Sequence, residues 1–373
     1  MKKSIGPVFI SRNFFSNKLL EADLLKRFNL YGSYVQRYSK NTYPGITIIS
    51  NILPEISSKK DSQFKHLKFI KAPSKKLSYL FFLRNFLTLN KNNISIIISG
   101  DPWFDLVLIK IANYKLGIKI QVSIHGEPYL KVNILSNFSN LLKHVWLIYI
   151  LNKVDSVRLV SSHQVKFVKK AYNVQKSKIL VAPIPVLIPD FVPTKKKPNT
   201  LLFLGRLHPE RGLNLWLKIV IALYEKRQDF SLLIVGNGPG REFLQGELEK
   251  SKYEIKYKFS GWIEQKDISK YFSKAKVLLN SAKTESFGIS MREAQLHGVP
   301  TVSIRNNGAV ENLKIFKTGI YIYDEIFQAV DLLNECFNDN LQQTSSKNSS
   351  RIQKSQNNKY LLKIAESWVI NDN

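Results

Sequence analysis

The stretch TESFGISMREAQLHGVP, residues 284–300, sets Glu285 and Glu293 eight positions apart, between a strand-like run, Val277 to Asn280, and a helix opening near Phe287. Backbone N–H groups at a helix N-terminus meet phosphate. Gly288 has no Cβ and lets the chain approach such a group closely. A carboxylate accepts hydrogen bonds from two vicinal hydroxyls, as a ribose presents. With Glu285 just before the helix and Glu293 about two turns inside it, both carboxylates can line one wall of a cleft. The spacing by itself is common, so the surrounding elements decide its meaning.

Upstream, NTLLFLGRLHPERGLNLWLKIV (199–220) reads as a strand over Leu201 to Leu204, a turn closed by Gly205 and Gly212, and an amphipathic helix from Leu213. Arg206 and Arg211 fall in that turn, at the C-terminal strand end where open α/β sheets bind ligands. Two guanidiniums there can clamp a diphosphate. Further strands follow at βα spacing: Leu232 to Val235 ending in GNGPG, Tyr257 to Ser260 ending in GW, Val277 to Asn280, and Thr301 to Ile304 ending in RNNGAVEN. Short apolar strands alternating with helices predict a parallel, doubly wound domain. Gly236, Gly238 and Gly240 give G-x-G-x-G rather than the dinucleotide fingerprint G-x-G-x-x-G, so this loop reads as a tight turn beside a nucleotide.

E-x(7)-E after a strand ending in Asn-Ser resembles the donor-site signature of retaining glycosyltransferases of the GT-B fold, the group 1 or family 4 type. The resemblance is close over Asn199 to Leu313 and architectural before that. It implies two Rossmann-like doubly wound domains facing a cleft, and transfer of a sugar from a nucleoside diphosphate sugar to an acceptor hydroxyl with retained configuration. It gives Arg206 and Arg211 the diphosphate, Arg211 standing where the family usually has Lys. Glu293 then binds the ribose and Glu285 lies toward the donor sugar. The backbones at Gly205 and Gly236 and the amides of Phe287, Gly288 and Ile289 approach the donor. The segment of Trp262 and Ile263 passes the nucleobase, on which Trp262 either stacks or merely packs. His125 matches a histidine facing the donor sugar, and Glu127 either binds sugar hydroxyls or is a loop carboxylate in water. The family's Gly-Gly loop after the first strand is missing: SRNFFSNKLLEA (11–22) has no glycine, leaving Asn13 or Ser16 as donors. No Asp-x-Asp ends a strand and no His/Cys/Asp cluster has metal spacing, so no metal or other cofactor is expected.

Length and composition predict two domains. The 373 residues carry 44% hydrophobic content, enough for two cores. Strands at Val8 to Ile10, Ile46 to Ile49, Leu67 to Ile70, Ile94 to Ser99, Ile118 to Ile124 and Val157 to Val160 make residues 1–185 a second doubly wound domain, which the resemblance implies is the acceptor side. A hinge at 186–198 lies within VAPIPVLIPDFVPTKKKPN (181–199), where five prolines oppose any regular element. Residues 199–340 form the domain to which the resemblance gives the nucleotide-sugar, and 341–373 hold a polar mobile connection (to 359) and an amphipathic terminal segment that, as the resemblance implies, is a helix crossing back to the first domain.

The single cysteine, Cys336, excludes an intrachain disulfide and suits a reducing compartment. The longest apolar run, Val145 to Leu151, falls short of the roughly 18 to 20 residues of a membrane span, and the N-terminus does not read as a signal peptide. A cytoplasmic chain, peripheral on the inner face of a membrane at most, is expected. The net charge of +28 arises from 56 basic and 28 acidic residues spread along the chain. It is either a solvated surface or an attraction to anionic lipid or an anionic acceptor. Nucleic acid is disfavoured, because no helix-turn-helix, zinc-finger or RNP pattern occurs. The expected partners are a nucleotide-sugar donor and a glycan or lipid-linked acceptor of cell-surface polysaccharide, lipopolysaccharide or glycolipid synthesis. A GT-B nucleotide-sugar epimerase and a non-enzymatic basic binding protein are the rival readings.

Overall fold

A computed structural model describes residues 4–16, 18–55, 64–128, 134–135, 138–187, 198–341 and 345–369 of the protein. The chain divides into two units, Met1–Pro185 with Asn357–Asn373, and Val186–Gln356. Most of the sequence-predicted hinge, residues 188–197, lies outside the described residues.

The first unit contains a seven-stranded parallel sheet of β1 (Gly6–Ile10), β2 (Ile46–Ser50), β3 (Leu67–Lys71), β4 (Ile94–Ser99), β5 (Ile120–Ile124), β6 (Ser156–Leu159) and β7 (Ile179–Val181), ordered β3-β2-β1-β4-β5-β6-β7. Its helices are α1 (Lys18–Tyr38), α2 (Lys76–Asn90), α3 (Phe104–Ala112), α4 (Phe138–Ile150) and α5 (Gln164–Tyr172). β1, β2 and β5 are buried at every residue. That is the reason they read as unbroken apolar runs rather than alternating ones. β7 falls at the start of the proline-rich stretch, where no strand is expected; its three residues precede the first proline, Pro183. β5 opens at Ile120 rather than Ile118, because the Asn113 side chain bonds both backbone groups of Ile118.

The second unit contains β8 (Thr200–Leu204), β9 (Ser231–Val235), β10 (Tyr257–Gly261), β11 (Val277–Asn280), β12 (Thr301–Ile304) and β13 (Ile320–Tyr323), all parallel and ordered β10-β9-β8-β11-β12-β13. With them go α6 (Leu213–Lys226), α7 (Gly240–Glu249), α8 (Ile268–Phe272), α9 (Ile289–Leu296), α10 (Asn307–Phe316) and α11 (Ile326–Phe337). Both units are doubly wound, as the alternation predicts. Strand order reverses direction between β1 and β4 in one sheet and between β8 and β11 in the other, and ligands of such sheets bind outside the strand C-termini at these points.

The polar tail is not the mobile connection that its composition suggests. Ser346–Trp368 is one 23-residue helix, α12. Its buried stripe runs Ser349, Gln353, Asn357, Tyr360, Leu361, Ile364 and Trp368, which is helical spacing with polar residues in the first two turns. The apolar count that signals a helix is therefore missing from 346–357. Residues 357–369 belong to the first unit, where Leu361, Ile364, Ala365 and Trp368 share a core with Phe15, Tyr31, Val35 and Ile98. Trp368 donates its indole N–H to Gln121 Oε1 at 2.7 Å, and its carbonyl accepts from Ser95 at 2.7 Å.

Candidate functional site

In the second unit the loops after β8 and β11 meet at the switch point. Gly212 adopts φ 68°, ends a short 3-10 turn and begins α6. A Cβ there would lie 2.2 Å from the Ser281 carbonyl oxygen, and Ser281 Oγ donates to the Arg211 carbonyl at 2.9 Å. This packing brings Arg211 to Glu285, 74 residues on: Nη1 donates to Oε2 at 2.7 Å. Both side chains are mostly covered, 28% and 19% exposed. Arg211 Nε is buried with no acceptor among the described residues, while the side chain as a whole is 28% exposed, so the guanidinium keeps donor capacity beyond its bond to Glu285 of the kind a phosphate oxygen satisfies.

Glu285 is tied down on several sides. Its Oε1 accepts from the amides of Gly288 at 3.1 Å and Phe287 at 3.4 Å. Its carbonyl accepts from Gly308 N at 2.6 Å. The helix opens at Ile289, because Gly288 takes the left-handed φ of 71°. A Cβ on Gly288 would meet Met291 and Asn312 at 2.3 and 2.8 Å. The Phe287 and Gly288 amides expected to face phosphate are thus capped by the protein's own carboxylate. Phe287 is buried under the Arg292 guanidinium, 4.0 Å from the ring centroid. Ile289, the first helical residue, is half-buried.

Glu293 is the fifth residue of α9, one turn in rather than two, and 5% exposed. Its Oε1 accepts from Gln265 Nε2 at 2.7 Å. Gln265 follows half-buried Trp262 and Ile263 in the loop after β10, so Glu293 is held beside the segment assigned to the nucleobase. The His297 ring stacks on Phe272 and bonds the Glu293 carbonyl at 2.7 Å. Arg206 stands apart: it is 70% exposed and pairs with Glu210, so the two arginines are not closed together as a clamp.

Gly205 and Gly236 form a pinch between the ends of β8 and β9. A Cβ on Gly236, at φ 138°, would fall 1.8 Å from the Gly205 carbonyl oxygen. Gly236→Ala is therefore expected to cost at least about 2 kcal/mol, from backbone strain and overpacking together. Gly246, inside α7 with open space around it, is the control, since Gly246→Ala should stabilise by roughly 0.5–1 kcal/mol. Denaturant midpoints of the two variants check this; equal midpoints would remove the steric reading of the pinch.

In the first unit, His125 follows β5 and lines a cavity of about 140 Å³ with Arg27, Arg158 and Tyr31. The residue is exposed to solvent. It nevertheless sits among so much protein that desolvation, ahead of the cations Arg158 and Arg27, pushes its pKa down to about 4. The two observations describe a ring at the floor of a pocket, neutral near pH 7. Glu127 is only 6% exposed, which removes the reading of a loop carboxylate in water.

The glycine-free loop borders a larger pocket, about 490 Å³, at the β1–β4 switch point, lined by Arg12, Asn13, Lys76, Asp101 and Asp105 among others. The Arg12 amide donates to Asp105 Oδ1 at 3.3 Å. Burial first, then the Asp101 charge, push the Asp105 carboxyl up to about 7. Nothing in the sequence marks Asp101 and Asp105 as a pair beyond SGDPWFD following a strand. Gln265 and Gly308 are likewise missed, since neither lies in a recognisable motif. Among the described residues no group of three His, Cys, Asp or Glu could hold a metal ion, and no helix is long and apolar enough to cross a membrane.

Residues 188–358 match the family described as glycosyl transferases group 1. The chain is 31% identical over 113 residues to the 2-deoxystreptamine N-acetyl-D-glucosaminyltransferase of Niallia circulans, 30% of this chain and 29% of that one. It spans less than two thirds of the length of the curated relatives it matches. Among solved structures it is similar to Anabaena Alr3699/HepE in complex with UDP, with TM-score 0.68, 15% identity, and 97% of this chain and 98% of that one covered. It is also similar to the lipopolysaccharide outer core galactosyltransferase WaaB, with TM-score 0.65, 17% identity, and 96% and 97% covered. At these identities the structures show the fold, which is GT-B.

Proposed function

We propose, from the premise that residues 188–358 belong to the glycosyl transferases group 1 on a GT-B fold, that the protein moves a sugar from a nucleoside diphosphate sugar to an acceptor hydroxyl. The observation that carries this reading is the meeting of Arg211 and Glu285 at the β8–β11 switch point, with donor capacity left on Arg211 beyond that bond. In that reading Arg211 turns its remaining N–H groups to the diphosphate, and exposed Arg206 closes on it from Glu210. Glu293 accepts from the ribose hydroxyls, Trp262 and Ile263 flank the base, and Gly205, Gly236, Gly288 and Ile289 let the backbone approach. Glu285 lies toward the sugar. His125, neutral near pH 7, donates a hydrogen bond from one ring nitrogen and accepts at the other, which suits a sugar hydroxyl.

The transfer is retaining and needs no metal. The bond from the anomeric carbon to the phosphate oxygen breaks, and the acceptor oxygen bonds the same face of that carbon. The acceptor's proton passes to the leaving diphosphate, whose developing charge Arg206 and Arg211 stabilise. The acceptor is a glycan or lipid-linked glycan of envelope polysaccharide, lipopolysaccharide or glycolipid synthesis, met on the inner face of a membrane by a cytoplasmic protein. The name of one similar protein, the lipopolysaccharide outer core galactosyltransferase WaaB, supports an acceptor of this general kind, whereas the 2-deoxystreptamine N-acetyl-D-glucosaminyltransferase names a small-molecule acceptor.

A thermal-shift panel of UDP-, GDP- and ADP-sugars tests the reading. The matching donor at 100 times its Kd should stabilise the fold by about 2.7 kcal/mol, and EDTA should leave that shift and turnover unchanged. No shift from any donor ends the donor-site assignment. Activity lost in EDTA and restored by magnesium ends the metal-free part. Free epimerised nucleotide-sugar formed without acceptor would make the protein an epimerase.

A further inference from the structure

Helix α4, FSNLLKHVWLIYI, is apolar on two faces, and only one of them is packed. Leu147 and Ile150 are buried. Phe138, Leu141, Leu142, Val145, Ile148 and Tyr149 are each between 39% and 73% exposed. Those six recur at steps of three and four, so they form one continuous stripe along the helix. A soluble surface helix turns such a stripe to the core; α4 turns it to solvent. Its neighbours extend the same character. Trp146 of α4 donates to the Pro102 carbonyl just before α3 at 3.0 Å, and Lys110 Nζ of α3 to the Lys153 carbonyl just after α4 at 2.8 Å. Arg84 Nη1 on α2 bonds the Ala112 carbonyl of α3 at 3.0 Å. From these two helices Ile111 on α3 and Leu77 and Phe81 on α2 are exposed.

The exposed charge carried by α2, α3 and α4 themselves has one sign, the nearest exposed acid along the chain being Asp155 beyond Lys153. From residue 64 to residue 126 the acids are Asp101 and Asp105, and from 128 to 154 there are none. The one acid within α2, α3 or α4 is Asp105, which is 3% exposed. Cations remain around the stripe: Lys143 lies 5.8 Å from the Trp103 ring and Lys153 lies 3.7 Å from the Tyr149 ring, with Lys76 and Lys110 beside them. Apolar side chains, interfacial aromatics and lysines without acids are the composition that enters the headgroup region of an anionic bilayer. A second copy of the chain would press the same lysines together.

We propose that the α2–α3–α4 face, led by the exposed stripe of α4, inserts into the surface of an anionic membrane. This rests on the membrane part of the proposed function and not on the donor site. It replaces a diffuse attraction of the whole +28 charge by a defined surface.

The test is sedimentation of the full chain with phosphatidylglycerol-containing or purely phosphatidylcholine vesicles, for wild type and for Leu142→Ser/Ile148→Ser. Both changed positions are exposed, so fold and donor thermal shift should be kept. Wild type should bind the anionic vesicles, and the double variant should partition at least about tenfold less. Binding should weaken as the Debye length falls from about 10 Å at 0.1 M salt to about 3 Å at 1 M. If neither vesicle retains wild type, the membrane part of the function fails while the donor panel stands. Undiminished binding by the double variant overturns the surface assignment alone. A wild-type dimer that the double variant converts to monomer, without vesicle binding, gives the face to a second copy instead and overturns the proposal.

Discussion

Arg206→Ala and Arg211→Ala should each lower turnover by about 100-fold or more, the loss that follows removal of one preorganised donor to a developing negative charge. The two variants carry different structural burdens. Arg206 is 70% exposed and, among the described residues, pairs with Glu210 four residues on, an interaction worth at most about 1 kcal/mol. Its loss should leave the fold unchanged, so any fall in turnover reports on the reaction. Arg211 also neutralises Glu285, so Arg211→Ala removes the phosphate donor and leaves a mostly covered carboxylate without its cation. Arg211→Lys keeps the charge and should recover part of the turnover, less than all of it, because a Lys cannot bond Glu285 and a phosphate in the fixed fork geometry. Steady-state turnover beside a melting curve separates these cases. Normal turnover in folded Arg206→Ala would leave the diphosphate to Arg211 alone; normal turnover in Arg211→Ala would remove the carrying observation of the proposed function.

The second large effect divides the glutamates. Glu293→Ala should weaken nucleoside diphosphate binding by about 10- to 150-fold, the equivalent of about 1.5 to 3 kcal/mol for a hydrogen bond to a charged group. Glu293→Gln keeps an acceptor oxygen and should fall between that variant and wild type. Glu285→Gln should spare the affinity for free nucleoside diphosphate, which lacks the sugar, and lower turnover. Gln is the informative change there, since its oxygen can still accept from the Gly288 amide while the ion pair to Arg211 is lost. Calorimetry with the nucleoside diphosphate, run beside transferase assays, reads both. Nucleotide affinity kept in Glu293→Ala and lost in Glu285→Gln would exchange the two roles. No change in either variant would reduce the paired glutamates to a chance spacing.

Much of the second unit is legible before any coordinates. Glycine marks several turns of positive φ: Gly205 and Gly236 directly follow β8 and β9, and Gly212 and Gly288 directly precede α6 and α9. The motif residues Arg211, Glu285 and Glu293 lie in the loops and helix start where the alternation puts them. The first unit is less legible. Its loop after β1 lacks glycine, and the Asp101–Asp105 pair beside it is visible only once β1 and β4 are neighbours.

The sequence by itself determined the period of most elements, the alternation that makes two parallel sheets, and the residue types at the strand ends, because these depend on neighbours a few positions apart. Tertiary structure alone decided which distant groups touch. It joined Arg211 to Glu285 and Gln265 to Glu293, turned the Phe287 and Gly288 amides onto Glu285, and gave the polar first half of α12 a buried stripe. It also left the outer stripe of α4 uncovered, for a periodic pattern fixes which side chains share a face of a helix, and only packing against the rest of the chain decides which face is buried.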